Sequence, residues 1–286
     1  MKLSTTIDSL PLGVDCPLTS SYVLLGSCFA DSVGAKMRDG GFDVCINPFG
    51  TLYNPVSIAR SVERLVSGLP FTRQDCVRMG AGSPLICSFS HHTSFARACE
   101  DEFLSVANAG LERCSAALTA ADRIIITLGT AWVWEHIASG TVVSNCLKLP
   151  ASNFIHRRLG EEEILSALRG IVEALPGRKF IFTVSPIRHL SLGAHANTLS
   201  KAALQLACDR LICEYPDRCA YFPAYEIVLD ELRDYRFFAD DLVHPSQLAV
   251  DIVWERFLES CARRDDLPKI AQAVKEARRK SHRSMH

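Results

Sequence analysis

Three short stretches carry the side chains with chemical potential. The first is Gly26-Ser27-Cys28-Phe29-Ala30, which follows the apolar run Tyr22-Val23-Leu24-Leu25 and leads into a helical pattern. A glycine there permits a tight turn out of a strand. The next side chains then sit at a helix amino terminus, where N–H groups and the helix dipole favour negative charge. A thiol so placed is expected to lose its proton well below ~8.5 and to be a good nucleophile, whereas a hydroxyl can cap the helix. Cys28 is therefore the candidate nucleophile and Ser27 the candidate cap, although the two could exchange roles. The second stretch is Asp240-Asp241-Leu242-Val243-His244-Pro245. A carboxylate three residues before an imidazole on a turn can orient the ring and stabilise its cation, leaving the other ring nitrogen to face a nucleophile. The plainer alternative is a turn capped by Asp240 or Asp241 with His244 on the surface. The third is Thr127-Leu128-Gly129-Thr130-Ala131-Trp132, whose N–H groups could bind an oxyanion or simply form a tight turn.

Alternating strands and helices must position these stretches. Tyr22–Leu25, Phe42–Ile46, Arg123–Leu128 and Lys179–Val184 read as strands, the longer ones apolar enough to be buried on both faces. Helices are predicted over about 31–39, from Asn54-Pro55 onward, and over 100–118, 161–175, 195–213 and 247–261. Gly80-Ala81-Gly82-Ser83 reads as the turn of a hairpin between 75–79 and 85–89. Tyr221–Ala224 and Ile227–Leu229 read as short extended pieces. This alternation implies a parallel sheet covered on both faces, a three-layer α/β/α sandwich. Ligands in such folds bind at the carboxyl ends of the strands.

Composition narrows the class further. The chain has 286 residues, 48% hydrophobic and 22% charged, with net charge −1. That excludes disorder and a global field for nucleic acid or anionic membrane. No run of ~18 apolar residues suggests a spanning helix, and the opening MKLSTTIDSLPLG lacks the apolar core of a secretory signal. The twelve cysteines form no CxxC and come no closer than five residues apart, so no zinc site or disulfide scaffold is read from them. They read as reduced thiols in a cytoplasmic protein. Residues 1–262 are expected to form one domain with an irregular insertion at 68–95 near the cleft. Residues 263–286 hold eight Lys or Arg against three Asp or Glu, a net +5 that leaves −6 on the rest. They read as a basic, solvated helical tail, dispensable for folding.

The order of nucleophile loop, glycine turn and Asp-x-x-His resembles the SGNH/GDSL hydrolase superfamily. Within it the chain is similar to the GSCFA family, whose name Gly26-Ser27-Cys28-Phe29-Ala30 spells. The resemblance runs from about Tyr22 to about Phe257 and includes Asn47-Pro48-Phe49-Gly50-Thr51, Leu128-Gly129-Thr130, Ser185-Pro186-Ile187-Arg188 and the stretch from Asn197 to Lys201. The superfamily's Gly-Asp-Ser loop implies that Cys28 stands where its serine nucleophile stands, and Ser27 where its aspartate does. Gly50 matches the glycine whose N–H enters the oxyanion hole. The superfamily's Gly-x-Asn is here Gly129-Thr130-Ala131, so that asparagine is absent; Thr130, Asn54 or Asn47 could replace it. Asp241 and His244 match the last block.

Other polar residues carry further readings. Of His91 and His92, at most one should line the cleft, and His92 is retained as a substrate-binding candidate. Arg188, with His189 beside it, could hold a substrate carboxylate or phosphate. Lys201 reads as a salt-bridge partner, and Trp132 and Trp134 as core. The implied function is cleavage of a small-molecule or saccharide acyl ester, with Cys28, His244 and Asp241 as the triad and no metal or cofactor. The alternatives are an acyltransferase using the same residues, or a non-catalytic binding protein that keeps the fold.

Overall fold

The computed structural model describes residues 5–7 and 11–283. Parts of the amino-terminal stretch read above (1–4 and 8–10) and the end of the basic tail (284–286) lie outside the described residues. The chain opens with β1 (Ser21–Gly26), α1 (Cys28–Asp39), β2 (Asp43–Ile46) and α2 (Pro55–Ser67). The hairpin β3 (Val77–Arg78) and β4 (Ile86–Cys87) follows, then α3 (Glu100–Ala120) and β5 (Arg123–Leu128). Next come β6 (Trp132–His136), β7 (Thr141–Val143), β8 (Phe154–Arg158), α4 (Glu161–Ala174) and β9 (Lys179–Val184). The last part is α5 (Ala194–Glu214), β10 (Cys219–Tyr221), α6 (Ala224–Glu226), α7 (Gln247–Cys261) and α8 (Leu267–Arg283).

The strand order β10-β9-β5-β1-β2, parallel throughout, is that of a doubly wound sheet. Side chains alternate across it, as a period of two requires. Val23, Leu25, Ile124, Ile126, Phe180 and Phe182 pack under α2, α3, α4 and α5. Tyr22, Leu24, Ile125 and Ile181 pack on the other face under α1 and α7. The expected three-layer α/β/α sandwich is therefore present. The chain leaves β1 toward β2 on one side and returns as β5 on the other. The crevice between β1 and β5 is thus the switch point at which such sheets bind ligands.

Three expectations are corrected. Ile227–Glu231 is a wide helical turn, not an extended piece, because Ile227 and Val228 both face the α7 side of the core. The segment 68–95 contributes no side chain to the wall of the cleft that holds Cys28, described below; it folds as a two-residue-per-strand hairpin tied down by Gly80 N–H to the Leu147 carbonyl at 2.9 Å. The tail is not merely solvated. Ile270 of α8 is 3% exposed and joins the α1–α7 core. The Asp266 carboxylate accepts the Leu18 N–H at 2.9 Å, and Arg263 pairs with Asp15 at 2.6 Å. A strand set unrecognised in the sequence, the antiparallel sheet β7-β6-β8, stands beside the carboxyl end of β5.

Candidate active site

The nucleophile turn is built by backbone crowding. Gly26 has φ +140°, and a Cβ there would lie 2.1 Å from the Thr127 carbonyl oxygen of β5, so only glycine fits. Ser27 follows with its N–H on that same carbonyl at 3.1 Å. Its hydroxyl accepts the Phe29 N–H at 3.3 Å as the cap of α1, and the residue is fully buried. Ser27 thus serves the helix end rather than the cleft. Asn47 fastens the turn from the side. Its Oδ1 accepts the Gly26 N–H at 2.9 Å and its Nδ2 donates to Asp31 at 2.7 Å. Asn47 does not line the cleft that holds Cys28, so it is no oxyanion donor there.

Cys28, at the first position of α1, lies in the wall of a cleft of about 420 Å³, and His244 lies in the same wall. The Asp241 carboxylate receives His244 Nδ1 at 2.6 Å, while its other oxygen accepts the N–H groups of Val243 and His244, each at 2.9 Å. These two N–H bonds, and then the imidazole, pull the Asp241 carboxyl down to about 2. Leu242 takes φ +56° to close the turn. The Arg188 N–H ties the loop to the end of β9 through the Val243 carbonyl at 3.2 Å.

The expected lowering of the Cys28 thiol pKa does not occur. Burial raises it first and the Asp31 carboxylate raises it further, against smaller lowering by the N–H groups of Cys28 and Phe29 and by Lys201. The helix end is there, but it acts on a sulfur partly withdrawn from water.

The oxyanion donors read from the resemblance are also corrected. The Gly50 N–H donates to the Asn47 carbonyl at 2.8 Å, and Gly50 lines a different hollow together with His92, Asp31 and Arg38. The N–H groups of Gly129 and Thr130 both donate to the Tyr53 carbonyl, at 2.8 and 2.9 Å. Thr130 still lines the cleft, with its hydroxyl 3.1 Å from Ser200 Oγ. Asn54 lines it too. Its Oδ1 caps α2 by accepting the Ser57 N–H at 2.9 Å, and one Nδ2 proton goes to Ser57 Oγ at 3.0 Å, leaving the other proton.

His92 lies outside the cleft, where its Nδ1 accepts the Ser94 N–H at 3.2 Å. His91 lies in the core. Arg188 sits over the Phe238 ring at 5.9 Å and does not line the cleft; its neighbour His189 does. The backbone alternation after β9 turns one inward and the other out. Burial, then Lys201 and His244, hold His189 at about 4, so it is neutral near pH 7. Trp132 and Trp134 are not core. Trp134 is 37% exposed and stacks on His156 at 4.0 Å and 7°, and all three line the cleft. The Trp-x-Trp alternation was the available signal for an aromatic strand face. Lys201 forms no salt bridge among the described residues. Its Nζ donates instead to the carbonyls of Gly129 and Ser185, at 2.6 and 2.7 Å.

The model of the GSCFA family matches residues 21–257. Among solved structures, the chain is similar to an alpha/beta hydrolase enzyme from the metagenome of Lake Arreo, Spain, with 12% identity, 86% of this chain and 96% of that one covered, and TM-score 0.46. It is similar to a carbohydrate esterase family 3 protein from Talaromyces cellulolyticus, with 11% identity, 90% and 99% covered, and TM-score 0.40. It is also similar to an acetyl xylan esterase from Butyrivibrio proteoclasticus, with 10% identity, 84% and 63% covered, and TM-score 0.41. Likenesses this distant say nothing about substrate. No protein of curated function matches the sequence.

Proposed function

The chain belongs to the GSCFA family, and on that premise we propose that it cleaves acyl esters with Cys28 as nucleophile, His244 as general base and acid, and Asp241 as the group that orients His244. The observation that carries this reading is a cleft at the carboxyl edge of the sheet whose wall holds both Cys28 and an imidazole held by Asp241 at 2.6 Å. The thiol is neutral at rest, because burial raises it. Its proton therefore leaves during attack, as in a serine hydrolase. Sγ bonds to the acyl carbon while His244 Nε2 takes the proton and the carbonyl oxygen becomes an oxyanion. The Cys28 N–H, in the first helical turn, and the remaining Asn54 Nδ2 proton are the donors for that oxyanion. Collapse expels the alcohol, which takes the proton from His244, and leaves a thioester on Cys28. Water then gives hydrolysis, and a second hydroxyl gives acyl transfer.

The stacked pair Trp134 and His156 gives the cleft a flat aromatic wall, which suits the C–H face of a sugar ring. A saccharide ester is accordingly the substrate class we favour. The twelve cysteines are free, which fits a reducing compartment such as the cytoplasm. Among the described residues no helix is long and apolar enough to cross a membrane.

A second reading is a binding protein that keeps the fold. It is favoured by the N–H groups of Gly50, Gly129 and Thr130 being taken by carbonyls, which thins the oxyanion hole. The experiment that separates the two uses 4-nitrophenyl acetate and acetylated xylo-oligosaccharides. Cys28→Ala should abolish turnover, Ser27→Ala should lower it mildly, and His244→Ala should lower kcat by about 10²–10⁴ without changing the melting temperature. Intact-mass analysis of the quenched enzyme should find the acyl group on Cys28. An acyl group on Ser27, or full activity in Cys28→Ala, would overturn the assignment.

A further inference from the structure

Two thiols outside the cleft stand in contact. Cys45 lies on β2, the edge strand of the sheet, and packs against the same core face as α3, which carries Cys114. The Cys45 S–H donates to Cys114 Sγ at 3.7 Å. Both residues line a hollow of about 450 Å³ together with Arg38, Asp43 and Arg113. Cys114 is buried but Cys45 is only half-buried, so the hollow admits a small solute to the pair. A second pair of thiols, Cys16 and Cys261, is buried at both residues. A thiol sealed in a core is inert, whereas one at the wall of an open hollow beside a guanidinium can react.

The surroundings give the two sulfurs different roles. The S–H donated by Cys45 lowers the Cys114 thiol, and Arg113 lowers it further against the effect of burial. The same bond holds the proton on Cys45. Cys114 is therefore the attacking thiolate and Cys45 the resolving thiol. The thiolate attacks one oxygen of hydrogen peroxide, the O–O bond breaks, and the departing hydroxide takes a proton from solvent. A sulfenic acid remains on Cys114. Cys45 Sγ then bonds to Cys114 Sγ, and the hydroxide that leaves takes the Cys45 proton. The two thiols together lose two electrons, and one peroxide becomes two waters. Bonding requires the sulfurs to close from 3.7 Å to about 2 Å. Within the sheet β2 pairs only with β1, so its outer side is free to move.

We propose that Cys45 and Cys114 are an oxidation site for hydroperoxides, closing to a disulfide that a small dithiol reopens, and that this closure loosens the turn ahead of Cys28 through β2. Cys45 stands two residues before Asn47. The Asn47 side chain accepts the Gly26 N–H at 2.9 Å and donates to Asp31 at 2.7 Å. Drawing the end of β2 toward α3 pulls on that support. The proposal concerns the thiols and the turn, and it stands apart from the acyl-ester reading.

The test treats the folded full-length chain with hydrogen peroxide, caps the remaining thiols with N-ethylmaleimide in urea, and reads the unreduced digest by mass spectrometry. A peptide pair linked through Cys45 and Cys114 should form, and dithiothreitol should remove it. Cys16 and Cys261 should be capped as free thiols. Cys45→Ser and Cys114→Ser should each abolish the link. Hydrogen exchange is then measured on the oxidised and reduced chains without capping. Exchange at the Gly26 N–H should be about tenfold faster in the oxidised chain, and the same treatment of Cys45→Ser should leave it unchanged. Absence of the Cys45–Cys114 link, or a link between Cys16 and Cys261 in its place, overturns the oxidation site. A link formed with Gly26 exchange unchanged overturns its action on the turn, as does equal acceleration in Cys45→Ser. Loss of esterase activity in none of the Cys28 variants would defeat the nucleophile assignment and leave these results standing.

Discussion

His91 should make this protein lose stability in mild acid, by an amount that can be worked from its surroundings. The ring is fully buried, 4.7 to 5.4 Å from the rings of Phe49, Phe71, Phe95 and Phe103. Nδ1 bonds Ser88 Oγ at 2.7 Å, and Nε2 is buried without a partner. Burial lowers its pKa from 6.5 to about 3, so the folded protein keeps it neutral. Above pH 6.5 the imidazole is neutral in both states and costs nothing. As pH falls below 6.5 the unfolded chain takes up a proton that the folded chain refuses, so stability declines toward pH 3. At pH 4.5 the gap is two units below the unfolded value, or roughly 2.7 kcal/mol. At about 2–4 °C per kcal/mol for a chain approaching this size, that is a fall of about 5–10 °C in melting temperature. The assay is urea unfolding of the unmodified chain and of His91→Leu at pH 7.5 and 4.5. The packing change on substitution affects both pH values alike, and carboxylates common to both chains cancel, so the difference between the two pH values isolates His91. That difference should be smaller by about 2–3 kcal/mol in the variant. Equal differences in the two chains would refute the reasoning.

Two further outcomes follow from packing. Gly26→Ala forces a side chain to φ +140° and against the Thr127 carbonyl, which should cost about 2–6 kcal/mol from backbone strain and overpacking together; a melting temperature within 2 °C of the unmodified chain, by calorimetry, would contradict it. Ile270→Ala should cost about 2–4 kcal/mol because Ile270 is buried against the α1–α7 core, and truncation after Ala262 should cost more, since it also removes the Asp266 cap of Leu18. A truncated chain that melts at the original temperature would show that α8 contributes nothing.

Local sequence determined much of this protein. β5 and β9 are runs of apolar residues bounded by polar ones, and they lie at Arg123–Leu128 and Lys179–Val184 as their pattern requires. Asn54-Pro55 starts α2 and Ser246 caps α7, because a cap depends on a few adjacent residues. The pairing of Asp241 with His244 was legible for the same reason, as three residues on one turn span it. Tertiary structure decided the rest. Which N–H groups are free depends on carbonyls far along the chain, so Tyr53 could take those of Gly129 and Thr130 without a sequence signal. The direction of the Cys28 shift depends on how deeply the sulfur is buried and on Asp31 outweighing the helix end and Lys201. Lys201 reads from the sequence as a salt-bridge partner, because a lysine in a helix usually meets a carboxylate. Only the convergence of two strand ends on α5 supplied two carbonyls in place of a carboxylate. Short-range patterns report on contacts within a turn or a strand, whereas burial and charge are sums over neighbours that only the packed fold assembles.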